Sequence, residues 1–490
     1  MKILALNPPF LHRYSRESRS PAVTRSGTLY YPMWLAYSVA YLEKHDHEVL
    51  FIDAPAAELD AAQVYEKAKE FQPQMAILDT STPSIYSDIE VAEGLKKALP
   101  DIFVTLVGVH VSALPEETLQ LNDAVDAVAF REYDATVVEL AEKIVHSRDD
   151  TSLESVKGIA YRTQKGEIRK NEPRPYIENL DDIPLVSSVY KRHLGTKPYF
   201  YGHSRYPLVV IISGRGCPFH CTYCVIPQTL QGHKYRTRSV ANVVEEFRYV
   251  AENMPEVKEI MIEDDTLTAN KKRCRELSDT LIKEKMTRIP WSANSRPDVD
   301  IDTMRLMKKA GCRLFCVGLE SGDQQILDNI KKGTKIERIR QFVKDARRAG
   351  ILVHGCFMVG NRGETRETLE KTLQLAKDLN PDTAQFYPIM IYPGTEDYAY
   401  FDEKGWMVTH NFRKWLNEEG LHSSVVSNPD LTYEELCAFC DRSRREFYLR
   451  FSYMTAKFIQ IMRHPGEARR VFKGFLNIYK YLLNSSPKSG

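Results

Sequence analysis

Short β-branched runs alternate with helical stretches twice along this chain, and that repetition constrains its fold more than any other feature. In the first series the strand-like runs are KILALN, HEVLFIDA, QMAILDTS, IFVTLVGVH and AVDAVAF. Between them MWLAYSVAYLEKH, DAAQVYEKAKEF and YSDIEVAEGLKKAL read as helices. This pattern predicts a doubly wound parallel sheet over residues 1–150, with ligands at the carboxyl ends of its strands. The loops at those ends read NPPF, DAPAAE, DTSTPS and GVHVSALPEE.

The second series comprises LVVIIS, EIMIED, IPWSAN, LFCVGLE, VHGCFMVG and AQFYPIMI, again with helical segments between. Six βα units in residues 207–400 fall short of a closed eight-stranded barrel. They predict a partial (βα)6 barrel whose site lies at the C-terminal mouth of its strands. Residues 151–206 read as a hairpin turning at Lys165-Gly166, then a linker rich in Pro, Asp and aromatics packed over both neighbours. Residues 401–490 read as a helical C-terminal extension, with Thr432 and Glu435 in capping-box spacing and Pro465 dividing two later segments. The fold class is therefore α/β.

Composition narrows the function. A net charge of +1 over 490 residues argues against bulk nucleic-acid binding. No apolar run approaches the ~20 residues that span a bilayer. The N-terminal MKILALNPPF lacks a signal-peptide core and reads as a first strand, which points to the cytoplasm, where structural disulfides are rare. Three of the nine cysteines nevertheless fall within eight residues, in SGRGCPFHCTYC.

Their spacing is C-x3-C-x2-C: Cys217, Cys221 and Cys224, just after the first barrel strand. A structural zinc site takes four ligands, and only His220 and His233 stand near as a fourth. Three thiolates can instead hold three irons of a [4Fe–4S] cube and leave the fourth iron open to a substrate. GRGCPFHCTYC, including Tyr223 before the last cysteine, resembles the signature of the radical S-adenosylmethionine (SAM) superfamily. Further segments carry the resemblance across roughly 208–400. They are IEDDTL, with Asp264 at the acidic position that faces the SAM amino group; SANSRPD, with Ser292, Asn294 and Arg296; GLESGDQQILDNIKKGT, with Glu320; FMVGNRGET, with Val359 and Gly360 beside the adenine; and YPGTEDY. The resemblance implies a [4Fe–4S] cluster on the three cysteines, SAM, and an external electron donor such as flavodoxin or ferredoxin.

The N-terminal half resembles the cobalamin-binding domain of cobalamin-dependent radical SAM enzymes. Thr80, Ser81, Thr82 and Gly108, the last in Val107-Gly108-Val109-His110, then line the way for a corrin's nucleotide tail. Where cobalt-ligating relatives carry Asp-x-His-x-x-Gly, this chain has Asp53-Ala54-Pro55-Ala56-Ala57 and no histidine, and His110 reads as a packed or loop residue. The layout, with YYPMWLAY, LDDIP and EFYLRF, resembles the branch of anaerobic tetrapyrrole cyclases and hopanoid-biosynthesis enzymes. It implies hydrogen abstraction from an unactivated carbon of a small-molecule or lipid substrate, followed by methyl transfer from methylcobalamin. The alternative is ring formation, ring contraction or oxidation without methylation. A non-catalytic cobalamin or redox sensor would have no use for an open-iron triad, and an RNA-modifying enzyme would need an RNA-binding appendage.

Of the other cysteines, Cys437 and Cys440 read as helix interior rather than a second cluster with Cys312 and Cys316, and Cys356 and Tyr392 read as core packing. From 441 to 490 eleven Lys/Arg stand against three Asp/Glu, interleaved with aromatics such as Phe447, Phe451, Phe458, Phe472 and Tyr479. That pattern reads as a solvated basic face over an aromatic core, with peripheral membrane contact as the alternative.

Overall fold

A computed structural model describes residues 1–463; Pro465, Phe472 and Tyr479 lie outside the described residues. The first sheet contains β1 (Lys2–Asn7), β2 (Glu48–Asp53), β3 (Met75–Thr80), β4 (Phe103–Gly108) and β5 (Ala127–Ala129). These five strands are parallel, in the order 2-1-3-4-5. Their β-branched runs are buried on both faces, as a sheet sandwiched by helices requires. The order reverses between β1 and β3, which places a crevice at Asn7 and at Thr80–Thr82.

The hairpin around Gly166 forms β6 (Ile159–Arg162) and β7 (Ile168–Lys170), and these add antiparallel to β5. The first sheet is thus seven-stranded, and its last two strands come from the segment that the sequence marks as linker. The rest of that linker packs on both sides. Tyr31 stacks on Tyr199 at 3.7 Å, Tyr199 donates to Asp53 at 2.7 Å, and Tyr31 donates to the carbonyl of Leu208 at 2.9 Å.

The second sheet takes the order β15-β14-β13-β12-β11-β8, all parallel. Its strands are β8 (Leu208–Ile211), β11 (Glu259–Ile262), β12 (Trp291–Ser295), β13 (Cys312–Glu320), β14 (Leu352–Val359) and β15 (Thr383–Pro388). Between β8 and β11, β9 (Gly214–Arg215) and β10 (Arg236–Thr237) pair as a two-residue ladder that closes the cysteine loop.

A six-stranded partial barrel leaves an edge, and here a C-terminal helix covers it. Helix Tyr433–Tyr448, capped by the Thr432–Glu435 box, lies against β15. Its Tyr448 hydroxyl accepts from Ala384 N at 2.9 Å and donates to Ala384 O at 2.6 Å, while Arg444 donates to Phe386 O. The extension is not helical throughout. Apart from a short turn at Phe412–Trp415, residues 404–432 run as an irregular strap, held by bridges Met407–Val426 and Leu416–His422. The strap reaches the N-terminal loop, where Val23 N donates to Gly420 O at 2.8 Å. In the last described helix, Phe451–Arg463, Phe451 and Phe458 are exposed, whereas Phe447 is wholly buried.

Candidate active site

The cysteine loop is rigid because every part of it is held by protein. Asp264 accepts from Ser213 N at 2.5 Å, Ser213 Oγ at 2.7 Å, Gly214 N at 3.1 Å and Tyr235 OH at 2.7 Å. Gly216, at φ +84°, has no room for a side chain: a Cβ would stand 2.4 Å from Lys234 O. Gln228 donates to the carbonyls of Cys221, Thr222 and Cys224 at 3.3, 3.2 and 2.9 Å. His233, a candidate fourth ligand by sequence, faces the Cys217 and Phe219 carbonyls through Nδ1 at 3.3 and 3.1 Å and stacks on His220.

Arg215, two residues before Cys217, crosses into the first domain. Its guanidinium donates to Glu132 at 2.7 Å and Asp134 at 2.6 Å and lies over Trp34 and Tyr37. Arg236 donates to the other Glu132 oxygen at 2.8 Å. Burial works to raise the Glu132 carboxyl, and Arg215 and Arg236 outweigh it, holding that carboxyl below its ordinary value.

At the mouth Cys217 faces Thr266 Oγ1 at 3.8 Å. Arg296 points Nη1 at Cys221 Sγ at 3.7 Å, lies over the Phe219 ring at 3.7 Å and donates to Lys332 O. Tyr223 donates to Glu320 at 2.9 Å, and Lys332 pairs with the same Glu320 oxygen at 2.7 Å. Glu320 sits at φ +60°, in the left-handed region, where the β13–β14 register shifts. Burial first, then the nearby Asp265 carboxylate, pushes the Cys217 and Cys224 thiols above their ordinary value. A bound metal reverses that balance and deprotonates coordinating thiols. Buried carboxylate oxygens of Glu263, Asp265 and Glu320 find no partner among the described residues, so the site is built to receive donors or cations.

Other candidate residues distribute unevenly. Asn294 reaches the mouth, donating to Glu263 at 3.1 Å and Asp264 O at 3.0 Å. Ser292 lies one inward step lower, donating to Glu259 at 2.6 Å beside the Glu259–Arg313 pair at 2.6 Å. Val359 ends β14 and Gly360 follows it, where Glu364 accepts from Gly360 N at 3.0 Å and Asn361 N at 3.2 Å. Burial pushes Glu364 up from 4.5 to about 7. The folded chain therefore keeps this proton at pH values where the unfolded chain has released it. Stability should fall by up to about 3 kcal/mol as pH rises from 4.5 to 7. Chemical denaturation of wild type and Glu364→Gln across that range should show this slope flattened in the variant.

In the crevice of the first sheet, Thr80 donates to Val107 O at 2.7 Å, Ser81 bonds Tyr14 at 2.7 Å, and Thr82 meets His110 Nδ1 at 3.2 Å. His110 is packed, edge-on to Phe412, and burial lowers it to about 3. Gly108, at φ +111°, is cradled so closely that a Cβ would stand 2.6 Å from Thr80 O. Asp79 keeps an unpartnered buried oxygen here, pushed up to about 7 by burial. Asp53 caps the turn Ala54–Ala57, accepting from Ala56 N at 3.3 Å, and that turn carries no histidine.

Sequence reasoning passed over Arg19, on the long polar loop RYSRESRSPAVTRSG. It reaches the mouth, bonding Glu263 at 2.8 Å, Asp264 O at 3.1 Å and Asp265 at 3.6 Å. The signal available was the length of a loop without a periodic pattern, which is most often functional. Cys437 and Cys440 lie along one helix, with Cys440 buried in the core and Cys437 accepting from Ser424 N, away from any other thiols but each other. Tyr392 follows β15 and is buried against Trp415.

A doubly wound domain set beside a partial barrel with an open three-thiol loop at its mouth is the arrangement that the resemblance to cobalamin-dependent radical SAM enzymes implies. Comparisons agree. Residues 211–376 match the Radical SAM superfamily and residues 19–141 the B12 binding domain. The chain is similar to an uncharacterised methyltransferase of Pyrococcus horikoshii, 32% identical over 98% of this chain and 99% of the relative. It is also similar to the anaerobic magnesium-protoporphyrin IX monomethyl ester cyclase of Rubrivivax gelatinosus, 29% identical over 76% of this chain and 66% of the relative. The fold matches the radical SAM methyltransferase TsrM of Kitasatospora setae at a TM-score of 0.70 and 17% identity, over 89% of this chain and 88% of that one. The chain belongs to the cobalamin-dependent radical SAM enzymes, the family of methyltransferases and cyclases whose cofactors are a [4Fe–4S] cluster, SAM and cobalamin. Among the described residues no helix is long and apolar enough to cross a membrane.

Proposed function

We propose that this enzyme transfers a methyl group to an unactivated carbon of a small-molecule or lipid substrate, in the cytoplasm, with electrons from a donor such as flavodoxin or ferredoxin. The observation that carries the reading is the three-thiol loop, ringed by unpartnered carboxylate oxygens and tied through Arg215 to the cobalamin-type domain. When bound, the cluster and SAM supply a 5′-deoxyadenosyl radical for hydrogen abstraction, and cobalamin supplies the methyl group.

Cys217, Cys221 and Cys224 would hold the cluster, and Arg296, beside Cys221 and the Lys332 carbonyl, would fix the loop and meet the SAM carboxylate. We assign the SAM ammonium to Asp265 rather than to Asp264. The Asp264 oxygens already take four protein donors, whereas Asp265 keeps one oxygen open close to Cys217 and Cys224. Glu320, held by Tyr223 and Lys332, would take the ribose, and the Val359–Gly360 backbone the adenine. Ser292, committed to Glu259 a step below, is left out. At the first sheet, Gly108 and Asp79 would meet the corrin's edge, with Thr80, Ser81 and Thr82 shaping the wall through their mutual bonds.

Asp265→Asn should weaken SAM binding roughly 10- to 100-fold, the worth of one charge-assisted hydrogen bond. Burial raises Asp265 to about 6, so wild-type affinity should decline below that pH while the variant's stays flat. Unchanged binding by Asp265→Asn would return the role to another acid. Methyl transfer itself is tested by product analysis with methyl-deuterated SAM. Equal amounts of S-adenosylhomocysteine and 5′-deoxyadenosine, with label in the product, are expected. Deoxyadenosine alone would favour the alternative, ring formation or oxidation without methylation.

A further inference from the structure

Inside the barrel, below the mouth, lie two thiols and an imidazole that the proposed reaction does not use. Cys316 on β13 and His354 on β14 are register partners, so both point from one rung of the sheet. Cys356 stands two residues beyond His354 on the same face, opposite Gly318. The space over Gly318 is taken by Glu320 and Lys332, so the two thiols converge beside that ion pair. Cys316 Sγ and Cys356 Sγ lie 4.0 Å apart, and one ligand atom from each of Cys316, His354 and Cys356 lies within 4.8 Å of the others.

These distances discriminate between roles. A disulfide needs its sulfurs at about 2.05 Å. Two thiolates on one tetrahedral zinc, each at about 2.3 Å, stand about 3.8 Å apart. The observed 4.0 Å excludes a disulfide; it fits two thiols sharing a cation, and in the metal-free chain it is a thiol–thiol hydrogen bond. His354 Nδ1 meets Thr383 Oγ1 at 2.7 Å, and Thr383 is its own register partner on β15. A hydrogen bond of this kind orients the ring of a metal-ligating histidine. All three residues are half-buried, because their faces line the lumen rather than the helix-covered outside of the barrel.

We propose that Cys316, His354 and Cys356 bind one zinc ion, the two thiols losing their protons on binding. Three protein ligands leave a fourth position toward the lumen, for water or a donor atom of the substrate, as in catalytic rather than structural zinc sites. The three ligands share no residue with the cysteine loop, although Cys356 lies beside the Glu320–Lys332 pair of the mouth, and the assignment does not depend on which reaction the enzyme performs.

The test uses cluster-loaded enzyme equilibrated anaerobically with one equivalent of Zn²⁺ or Co²⁺ and freed of loose metal. Wild type should keep one zinc per chain, and Co²⁺ should give a thiolate-to-cobalt charge-transfer band in the near ultraviolet. Cys316→Ser and Cys356→Ser should each lose the zinc and the band while keeping wild-type iron. The Cys217/Cys221/Cys224→Ala variant should lose its iron and keep the zinc. Zinc that survives both serine variants, or that leaves with the triple variant, overturns the assignment, as does iron in place of zinc at these residues. Should the serine variants not fold, the wild type alone decides. Zn²⁺ should then protect Cys316 and Cys356, mapped by peptide mass, from alkylation, and equal labelling with and without zinc counts against the site.

Discussion

Replacing Cys217, Cys221 and Cys224 together with alanine is expected to remove about four irons per chain and all reductive cleavage of SAM, leaving the cofactor-free fold intact. The loop does not need its metal to hold its course. Asp264 binds its stem, Gln228 gathers three of its carbonyls, His233 faces two more, and Asp397 N donates to Thr222 O at 3.1 Å. None of these bonds uses a cysteine side chain. Three alanines remove only thiols with few partners, two of which, Cys217 and Cys224, burial pushes up. Iron and SAM cleavage should fall together, while the melting transition of the apoprotein moves by no more than a few degrees. Iron retained in full would place the cluster on other cysteines.

The second large effect is on stability. Arg215→Met should cost about 3–5 kcal/mol, because it leaves Glu132 and Asp134 buried with too little positive charge. The arginine is wholly buried, so water cannot take its place. The loss should show in chemical denaturation near neutral pH and shrink in acid. Glu132 has its carboxyl held below the ordinary value, so its contribution is full above that value and is lost as pH falls through the depressed one. Adding Asp134→Asn to Arg215→Met should recover part of the loss, since it removes one of the stranded charges and Arg236 still serves Glu132. A single variant as stable as wild type would mean that the ion network contributes nothing net.

The two predictions bear on different levels of the structure. Cysteine spacing, strand periodicity and the capping box at Thr432 are local. The strands and the cysteine loop could be read because residues a few positions apart dictate them. The five parallel strands of the first sheet and the six of the barrel appear where the β-branched runs stand. The hairpin at Gly166 was legible as a hairpin, but its joining to β5 was not, because pairing partners are chosen by the sheet's free edge. Residues 404–432, which read from the sequence as part of a helical extension, run instead as a strap, because their course depends on surfaces supplied by distant segments.

The site shows the same division. Matching a motif by its trailing Thr-Leu singles out Asp264 among three successive acids. Successive residues of extended chain point in opposite directions, so only the folded strand end decides which carboxylate meets the loop and which the open site. Arg19 meets Glu263 across 244 residues, and Arg215 meets Asp134 across 81. Cys316 and Cys356, separated by 40 residues, converge only through the register of β13 and β14. The amino-acid sequence by itself determined the βα alternation and the three-thiol loop, which follow from periodicity and short-range spacing, and it carries the motifs whose resemblance points to the family. Tertiary structure alone decided which acids remain open, what binds the two domains, and which cysteines meet inside the barrel. Those outcomes depend on strand register and on burial, and neither is set by neighbours along the chain.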